Sequence, residues 1–322
     1  MPDRPPVIAP VPGSERPLWS VMIPVYNCAR YLPYTLQSVL QQDAGAYHMQ
    51  IEVVDDASTD SDIEALVAQV GGGRIAYYRQ PHNVGSLKNF ETCLNRSRGR
   101  LIHLLHGDDA VHNGYYKKME ALLTRFPEAG AAFCRYAYIN EANEWLQHPT
   151  AEATEDGLLK NWLLRIAQRQ RIQYCAITVK RHVYEELGGF YGVSYGEDWE
   201  MWTRLAAQYP VAYTPDVLAD YRRHESSITG QAFLSGQNLR DLQWVIEKMQ
   251  TYLPQSIKGK AKKEASRFYA HYGATTANRL WQEGRDKKGA VAQMREALRM
   301  HHGRRLYWRL AKLCTRMALN IR

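Results

Sequence analysis

The sequence predicts an α/β fold: a doubly wound, mostly parallel sheet over the front two-thirds, followed by an all-helical extension. Three observations predict it. Four short apolar runs alternate with three segments of helical spacing between Ser20 and Asp109. Polar clusters, Tyr26-Asn27, Asp55-Asp56 and Asp108-Asp109, fall where strands should end. After Gly230 only helical periodicity remains.

Taken in order, Ser20 to Val25 is a buried strand that runs into a loop, and Leu32, Leu36, Val39 and Leu40 mark a first helix. Ile51 to Val54 is a second strand stopped by Asp55-Asp56. Asp60 or Ser61 can cap the next helix, whose apolar face is Ile63, Leu66, Val67 and Val70 and which Gly71-Gly72-Gly73 ends. Ile75 to Tyr78 is a third strand. Leu87, Phe90 and Leu94 give a third helix, and Leu101 to Leu105 a fourth strand that runs into His106-Gly107-Asp108-Asp109. A β-α-β-α-β-α-β order implies right-handed parallel crossovers, and open sheets of this kind bind ligands outside the carboxyl ends of their strands. Further on, Ala131 to Ile139 and Ile177 to Val179 read as strands. Leu158 to Ala167, Tyr184 to Leu187 and Trp199 to Ala207 read as helices.

Composition bounds the class. With 322 residues, 45% hydrophobic and 23% charged, the chain can build a sizeable core. Residues 1–17, proline-rich and without an apolar stretch, read as a disordered tail rather than a signal peptide. Residues 18–230 form the sheet domain, and 231–322 the helical region. Five cysteines without a paired spacing argue against a disulfide framework or zinc site and fit a reducing compartment. No window approaches the ~20 apolar residues that span a bilayer. The net charge of +8 is unevenly spread, since Lys258 to Arg322 hold 17 Lys and Arg against four Asp and Glu. That asymmetry points to an anionic partner for the back of the chain.

Each polar cluster has two readings. Asp55-Asp56 either receives a base N–H and ribose hydroxyls or caps a helix beside a solvated neighbour. Asp108-Asp109 either offers hard oxygen ligands to Mg²⁺ or Mn²⁺ or forms a polar turn. Glu197, Asp198 and Glu200 either favour a helix dipole or include a general base at Asp198. His224, behind Arg222 and Arg223, is either structural or part of a phosphate site. No GxGxxG, Walker A, HExxH or GxSxG pattern occurs, which argues against the dinucleotide, P-loop, zincin and hydrolase classes.

In sequence order, Ser20–Asn27 (SVMIPVYN), Glu52–Asp60 (EVVDDASTD), Asn83-Val84-Gly85, Leu105–Asp109 (LHGDD), Gly188–Phe190 (GGF), Gly196–Leu205 (GEDWEMWTRL) and Tyr221–Ser227 (YRRHESS) together resemble family 2 glycosyltransferases of the GT-A fold. The resemblance covers roughly residues 18–230. It implies an inverting transfer of a sugar from a nucleotide-diphospho-sugar, a UDP-sugar by preference, to an acceptor hydroxyl, in surface glycan or polysaccharide synthesis. Pro24, Val25, Tyr26, Asn27, Asp55, Asp56, Asn83, Gly85 and Lys88 would hold the nucleotide and its phosphates. Asp108 would bind a divalent cation, Mn²⁺ or Mg²⁺, on the diphosphate, with His224 as a further metal or phosphate contact. Asp109 and Glu197 would face the donor sugar, and Asp198 would be the general base. The family's metal motif reads Asp-x-Asp, and His106 stands at its first position, which shifts that ligand toward softer metals. The acceptor is a glycan, a lipid-linked glycan or a protein, and no nucleic acid is expected. A non-catalytic nucleotide-sugar-binding scaffold is the rival reading. A nucleotidyltransferase is a third, disfavoured because Val25–Arg30 lacks a glycine-rich basic loop.

At the back of the chain, Ala274, Ala277, Leu280 and Trp281 form one helical stripe and Val291, Met294 and Leu298 another. Residues 272–301 thus read as a single helix pair of the tetratricopeptide type. The last helix sets Arg305, Arg309, Lys312 and Arg316 beside Leu306, Leu310, Leu313 and Met317. That is either a basic amphipathic helix against the inner face of a membrane, from a cytoplasmic protein, or a surface helix packing its Leu face on the protein.

Overall fold

A computed structural model describes residues 4–13, 15–224 and 233–321. In chain order the elements of the front are β1 (Trp19–Val25), α1 (Leu32–Leu40), β2 (Met49–Asp55), α2 (Ile63–Gly71), β3 (Ala76–Arg79), α3 (Ser86–Arg96), β4 (Leu101–Leu104), β5 (Ala110–Val111), α4 (Tyr115–Arg125), β6 (Ala131–Ile139), β7 (Trp145–Gln147), β8 (Gly157–Leu158), α5 (Trp162–Gln168), β9 (Ile177–Lys180), α6 (Arg181–Leu187), α7 (Glu197–Gln208) and β10 (Val211–Arg222). The back holds α8 (Gln237–Met249), α9 (Gln255–Gly284), α10 (Lys287–Met300) and α11 (Arg304–Ala318). By internal contacts the chain forms two compact units. One comprises Met1–Trp162, Ile172–Gly192 and Gln208–Arg223, the other Leu163–Arg171, Val193–Ala207 and His224–Arg322.

The first unit is built on one sheet of order β3-β2-β1-β4-β9-β6-β10-β5. Its first four strands are parallel, as the alternating sequence predicts. β1 is buried along its whole length, which is why it reads as a continuous apolar run. The register pairs Val25 with Asp55, so β1 and β2 end level. Past β4 the chain stays beside β1, with Leu105 N donating to Met22 O at 3.0 Å and Gly107 N to Pro24 O at 3.1 Å. The far half of the sheet is mixed, because β9 enters antiparallel between β4 and β6.

Four local expectations are corrected. Asp62, not Asp60 or Ser61, caps α2, accepting from Ala65 N; the Asp60 carboxylate is taken by Ala29 N at 2.9 Å across the β1 loop. The helix expected from Leu158 begins only at Trp162. Gly157-Leu158 pairs with β10 instead, and Asn161 takes a left-handed φ of 54° before the helix starts. The proline-rich N-terminus is not loose over its described part: Ile8 is buried, Pro6 O accepts from Gly189 N and Ala9 O from Arg181. Prolines flank that isoleucine and limit the entropy lost on docking.

The fourth lies in the second unit. Ala274, Ala277 and Trp281 are buried as predicted, but on α10 the inward residues are Ala290, Gln293 and Ala297, while Val291 is exposed. Small side chains there let α9 and α10 approach closely. Leu306, Leu310, Leu313 and Met317 of α11 are also buried, with Ala277, Trp281 and Ala290 in one cluster with the last two. The Leu stripe is therefore consumed by packing and is not available to a bilayer.

Candidate active site

The loops after β1 and β2 are laced together. Val25 O accepts from Asp56 N at 2.8 Å. Asn27 has φ 50°, donates from its backbone N to Ser58 Oγ at 3.0 Å, and accepts Thr59 N at 2.8 Å on its side-chain oxygen. Asp55 is fully buried; one oxygen accepts Ser58 N at 2.9 Å, the other Tyr77 Oη at 2.8 Å and the Arg79 guanidinium. Asp56, also buried, accepts Val84 N at 2.7 Å and Gly85 N at 3.0 Å, one on each oxygen. Burial pushes the Asp56 carboxyl up, and those two N–H groups oppose the shift. Asp56 thus ties the Asn83–Gly85 loop to the end of β2, while the Tyr26 side chain stands half exposed at the rim.

His106, Asp108 and Asp109 form a cluster whose ligand-type atoms lie within 4.8 Å of one another, among the described residues. Gly107 is required by close packing, since a Cβ there would stand 2.8 Å from Val25 Cγ2 and 2.9 Å from Cys28 Sγ. Thr35 Oγ1 donates to Gly107 O and Asp109 O, fixing the turn from α1. Arg222, buried at the end of β10, clamps it from the other side. Its backbone N reaches Asp109 Oδ1 at 2.9 Å, its Nε Asp108 O at 2.8 Å and its Nη1 Asn140 O at 2.8 Å, while its guanidinium lies over the Tyr31 and Tyr34 rings.

The His106 ring packs against Phe90 and Tyr174, with centroids at 5.1 and 4.3 Å, and those two rings lie 5.4 Å from each other. Burial holds its pKa below the usual value against the pull of Asp108, so the imidazole is neutral at pH 7. Burial and the neighbouring Asp108 push the Asp109 carboxyl well up. Three polar atoms here, His106 Nε2, Asp109 Oδ2 and Arg222 Nη2, are buried without a hydrogen-bond partner, a costly arrangement in a finished core. The carboxylate oxygens suit Mn²⁺ or Mg²⁺, and the imidazole beside them favours Mn²⁺ of the two.

Asp198 belongs to the second unit, in the first turn of α7 after Gly196, which has φ 93°. Its Oδ1 accepts Trp199 N at 2.6 Å and its Oδ2 the Gln170 side-chain amide. Gln170 is itself held, its N donating to Tyr269 Oη at 2.9 Å, while the Trp199 indole donates to Ile166 O and stacks on Tyr269. Burial raises the Asp198 carboxyl to about 6, and the two N–H donors oppose the shift. Glu197 is buried beside it, and Glu200 is spent on Arg204.

Other expected residues are placed differently. Lys88 is exposed and paired with Glu91 at 2.7 Å, beside a groove of about 370 Å³ that also involves Tyr78, Gln80 and Arg96. His224 is half-buried and begins the second unit's last segment, outside the His106 cluster; Glu225 to Ser227 lie outside the described residues. Sequence reasoning missed Thr35, Phe90, Tyr174, Gln170 and the clamping role of Arg222. Only Arg222 carried a signal, by its place in the Tyr221–Ser227 segment.

A model of glycosyl transferase family 2 matches residues 20–187. The chain belongs to this family. An uncharacterised Mycobacterium tuberculosis protein is 28% identical over 73% of this chain and 76% of its own length. An uncharacterised glycosyltransferase of Mycoplasma genitalium is 30% identical over 38% of this chain and 41% of its own. Among solved structures, this family 2 chain is similar in fold to S. aureus TarS in complex with UDP-GlcNAc, at TM-score 0.67 and 13% identity over 93% of this chain and 89% of that one. It is also similar to the Pyrobaculum calidifontis mannosyltransferase PcManGT in complex with GDP-Man and Mn²⁺, at TM-score 0.59 and 19% identity over 98% and 84%. The mixed sheet with its helices is thus a GT-A-type architecture, followed by a helical C-terminal region.

Proposed function

We propose that the protein is an inverting, divalent-metal-dependent glycosyltransferase that moves a sugar from a nucleotide-diphospho-sugar to an acceptor hydroxyl. The observation that carries this is the His106-Asp108-Asp109 cluster at the end of a central parallel strand, with buried polar atoms left unpartnered, in a family 2 chain. Asp108 would hold the cation, with His106 and His224 as the further candidates. When bound, that cation supplies Lewis-acid neutralisation of the diphosphate leaving group. Asp56, with Asn83 and Gly85, frames the nucleotide's seat, and Pro24, Val25, Tyr26, Asn27 and Asp55 complete it, with Lys88 at its edge. Asp109 and Glu197 serve the donor sugar. Asp198 takes the proton of the acceptor hydroxyl as its oxygen attacks the anomeric carbon; the bond to the diphosphate breaks in the same displacement and the configuration inverts.

UDP-sugars are the favoured donors, in line with the TarS complex. The acceptor is a glycan, a lipid-linked glycan or a protein, in surface glycan or polysaccharide synthesis. A cytoplasmic setting is supported by five unpaired cysteines, four of them buried. One observation favours the rival reading of a donor-binding scaffold: the His106 ring, packed against Phe90 and Tyr174, stands where the family carries an acid. Release of nucleoside diphosphate from UDP-, GDP- and dTDP-sugars with Mn²⁺ separates the two. Transfer should require the metal, vanish with EDTA and fall about 10²–10⁴-fold in Asp198→Asn. Binding of a nucleotide sugar without turnover on any acceptor would establish the scaffold instead.

A further inference from the structure

The last helix has two opposite faces. At 100° per residue, Leu306, Leu310, Leu313 and Met317 share one side of α11 and are buried in the second unit. The other side centres on Trp308, which is 66% exposed, and carries Arg304, Arg305 and Lys312, all exposed. Tyr307 flanks it at 50% exposure, and Leu319, in line with Trp308 at 100° per residue, stands at its end 63% exposed. No acidic residue occurs from Gly303 to Arg322.

The cationic field extends onto α9. Arg309 reaches across to His271 O at 3.2 Å and to Thr275 Oγ1 at 2.8 Å. The His271 and His301 rings lie 6.2 Å apart, and Lys263 and Arg267 are exposed on the same helix as His271. Burial first, and then Arg309, His301, Arg267 and Arg305, hold His271 below its usual pKa. Burial, Arg267, His302 and Lys263 do the same at His301 against the single opposing charge of Glu264. Arg267, Arg305, Arg309 and Lys263 crowd this surface around the two imidazoles, so an anionic surface is its complement.

We propose that the outer face of α11, with the neighbouring cations of α9, docks on an anionic lipid bilayer. The cations meet the headgroup phosphates, and Trp308 and Tyr307 lie at the headgroup level with Leu319 beside them. Apolar Trp308 and Leu319 on the cationic face decide for a lipid surface over a soluble polyanion, which would leave them wet. The contact is peripheral: no helix among the described residues is long and apolar enough to cross a membrane. It uses the face opposite to the Leu stripe, and it stands independently of the sugar transfer.

The test is co-sedimentation of the full chain with vesicles of phosphatidylcholine alone and of phosphatidylcholine with phosphatidylglycerol. Binding is expected only to the anionic vesicles and should weaken as salt rises. Each cation contributes about fivefold near such a surface, so Arg304→Glu/Arg305→Glu/Lys312→Glu should weaken binding about a hundredfold or more. Trp308→Ala should also weaken it, and should remove the fluorescence quenching that brominated lipid causes in the wild type. Circular-dichroism melts establish that both variants fold. Equal binding to neutral vesicles, no binding to either, or binding to soluble polyphosphate or RNA as tight as to anionic vesicles and indifferent to Trp308→Ala, would overturn the proposal.

Discussion

Two pairs of adjacent aspartates stand at the carboxyl ends of β2 and β4, the strands on either side of β1. Asp55 and Asp56 have a partner on every carboxylate oxygen: Ser58 N, Tyr77 Oη, Arg79, Val84 N and Gly85 N. At Asp108-Asp109 the clamps from Thr35 and Arg222 fall largely on the backbone, and the Asp109 Oδ2 and the neighbouring His106 Nε2 are buried without a partner. The first pair spends its charge on holding loops. The second has its backbone held rigidly, and Asp109 Oδ2 and His106 Nε2 are left for something else. Adjacent aspartates at equivalent strand ends therefore divide into a pair that frames loops and a pair that, on the proposed function, meets the donor's metal.

The largest expected effect sharpens that division. Asp108→Ala should lower transfer by roughly 10³-fold, since a cation on a leaving diphosphate contributes several kcal/mol, while its melting temperature stays near the wild-type value. Asp55→Ala should act first on stability. It strands the buried end of the Tyr77 and Arg79 network, at a cost of about 2–4 kcal/mol, and the melt should fall by roughly 5–10 °C. If Asp55→Ala melts normally and Asp108→Ala unfolds, the comparison is broken. A smaller effect concerns Asp198, which is both pinned by Gln170 and raised by burial to about 6. A base must be ionised, so transfer should rise with pH through about 6 and level off above it, losing about tenfold for each pH unit below that value. A rate flat from pH 5 to 8 would remove Asp198 from the base role.

Features with a local cause were legible in the sequence. Buried parallel strands read as continuous apolar runs, and the acid pairs that follow them marked the strand ends. The β6 span was legible from Ala131 to Ile139 because its nine residues form one uninterrupted strand. What failed depended on partners distant in sequence. Nothing near Ile177 indicates that β9 runs antiparallel between β4 and β6. Nothing near His106 shows that Phe90 and Tyr174 pack against it, or that Arg222 grips Asp108 from 114 residues away. The inward stripe of α10 was misread by one residue because helical spacing favours Val291, whereas close helix packing selects the small Ala290 and Ala297. Ile8 was invisible for the same reason: an apolar residue in a short proline-rich stretch acquires meaning only from the surface it meets.

The most direct measurement is the melting temperature of the wild type and of Asp108→Asn with a UDP-sugar, with and without Mn²⁺. At about a hundred times the dissociation constant a ligand adds about 2.7 kcal/mol of stability, which corresponds to a shift of roughly 5–10 °C. The wild type should show that shift only with both metal and nucleotide sugar present, and Asp108→Asn should lose the metal-dependent part. An equal metal-dependent shift in both proteins would contradict the assignment of the His106-Asp108-Asp109 cluster as the donor's metal centre.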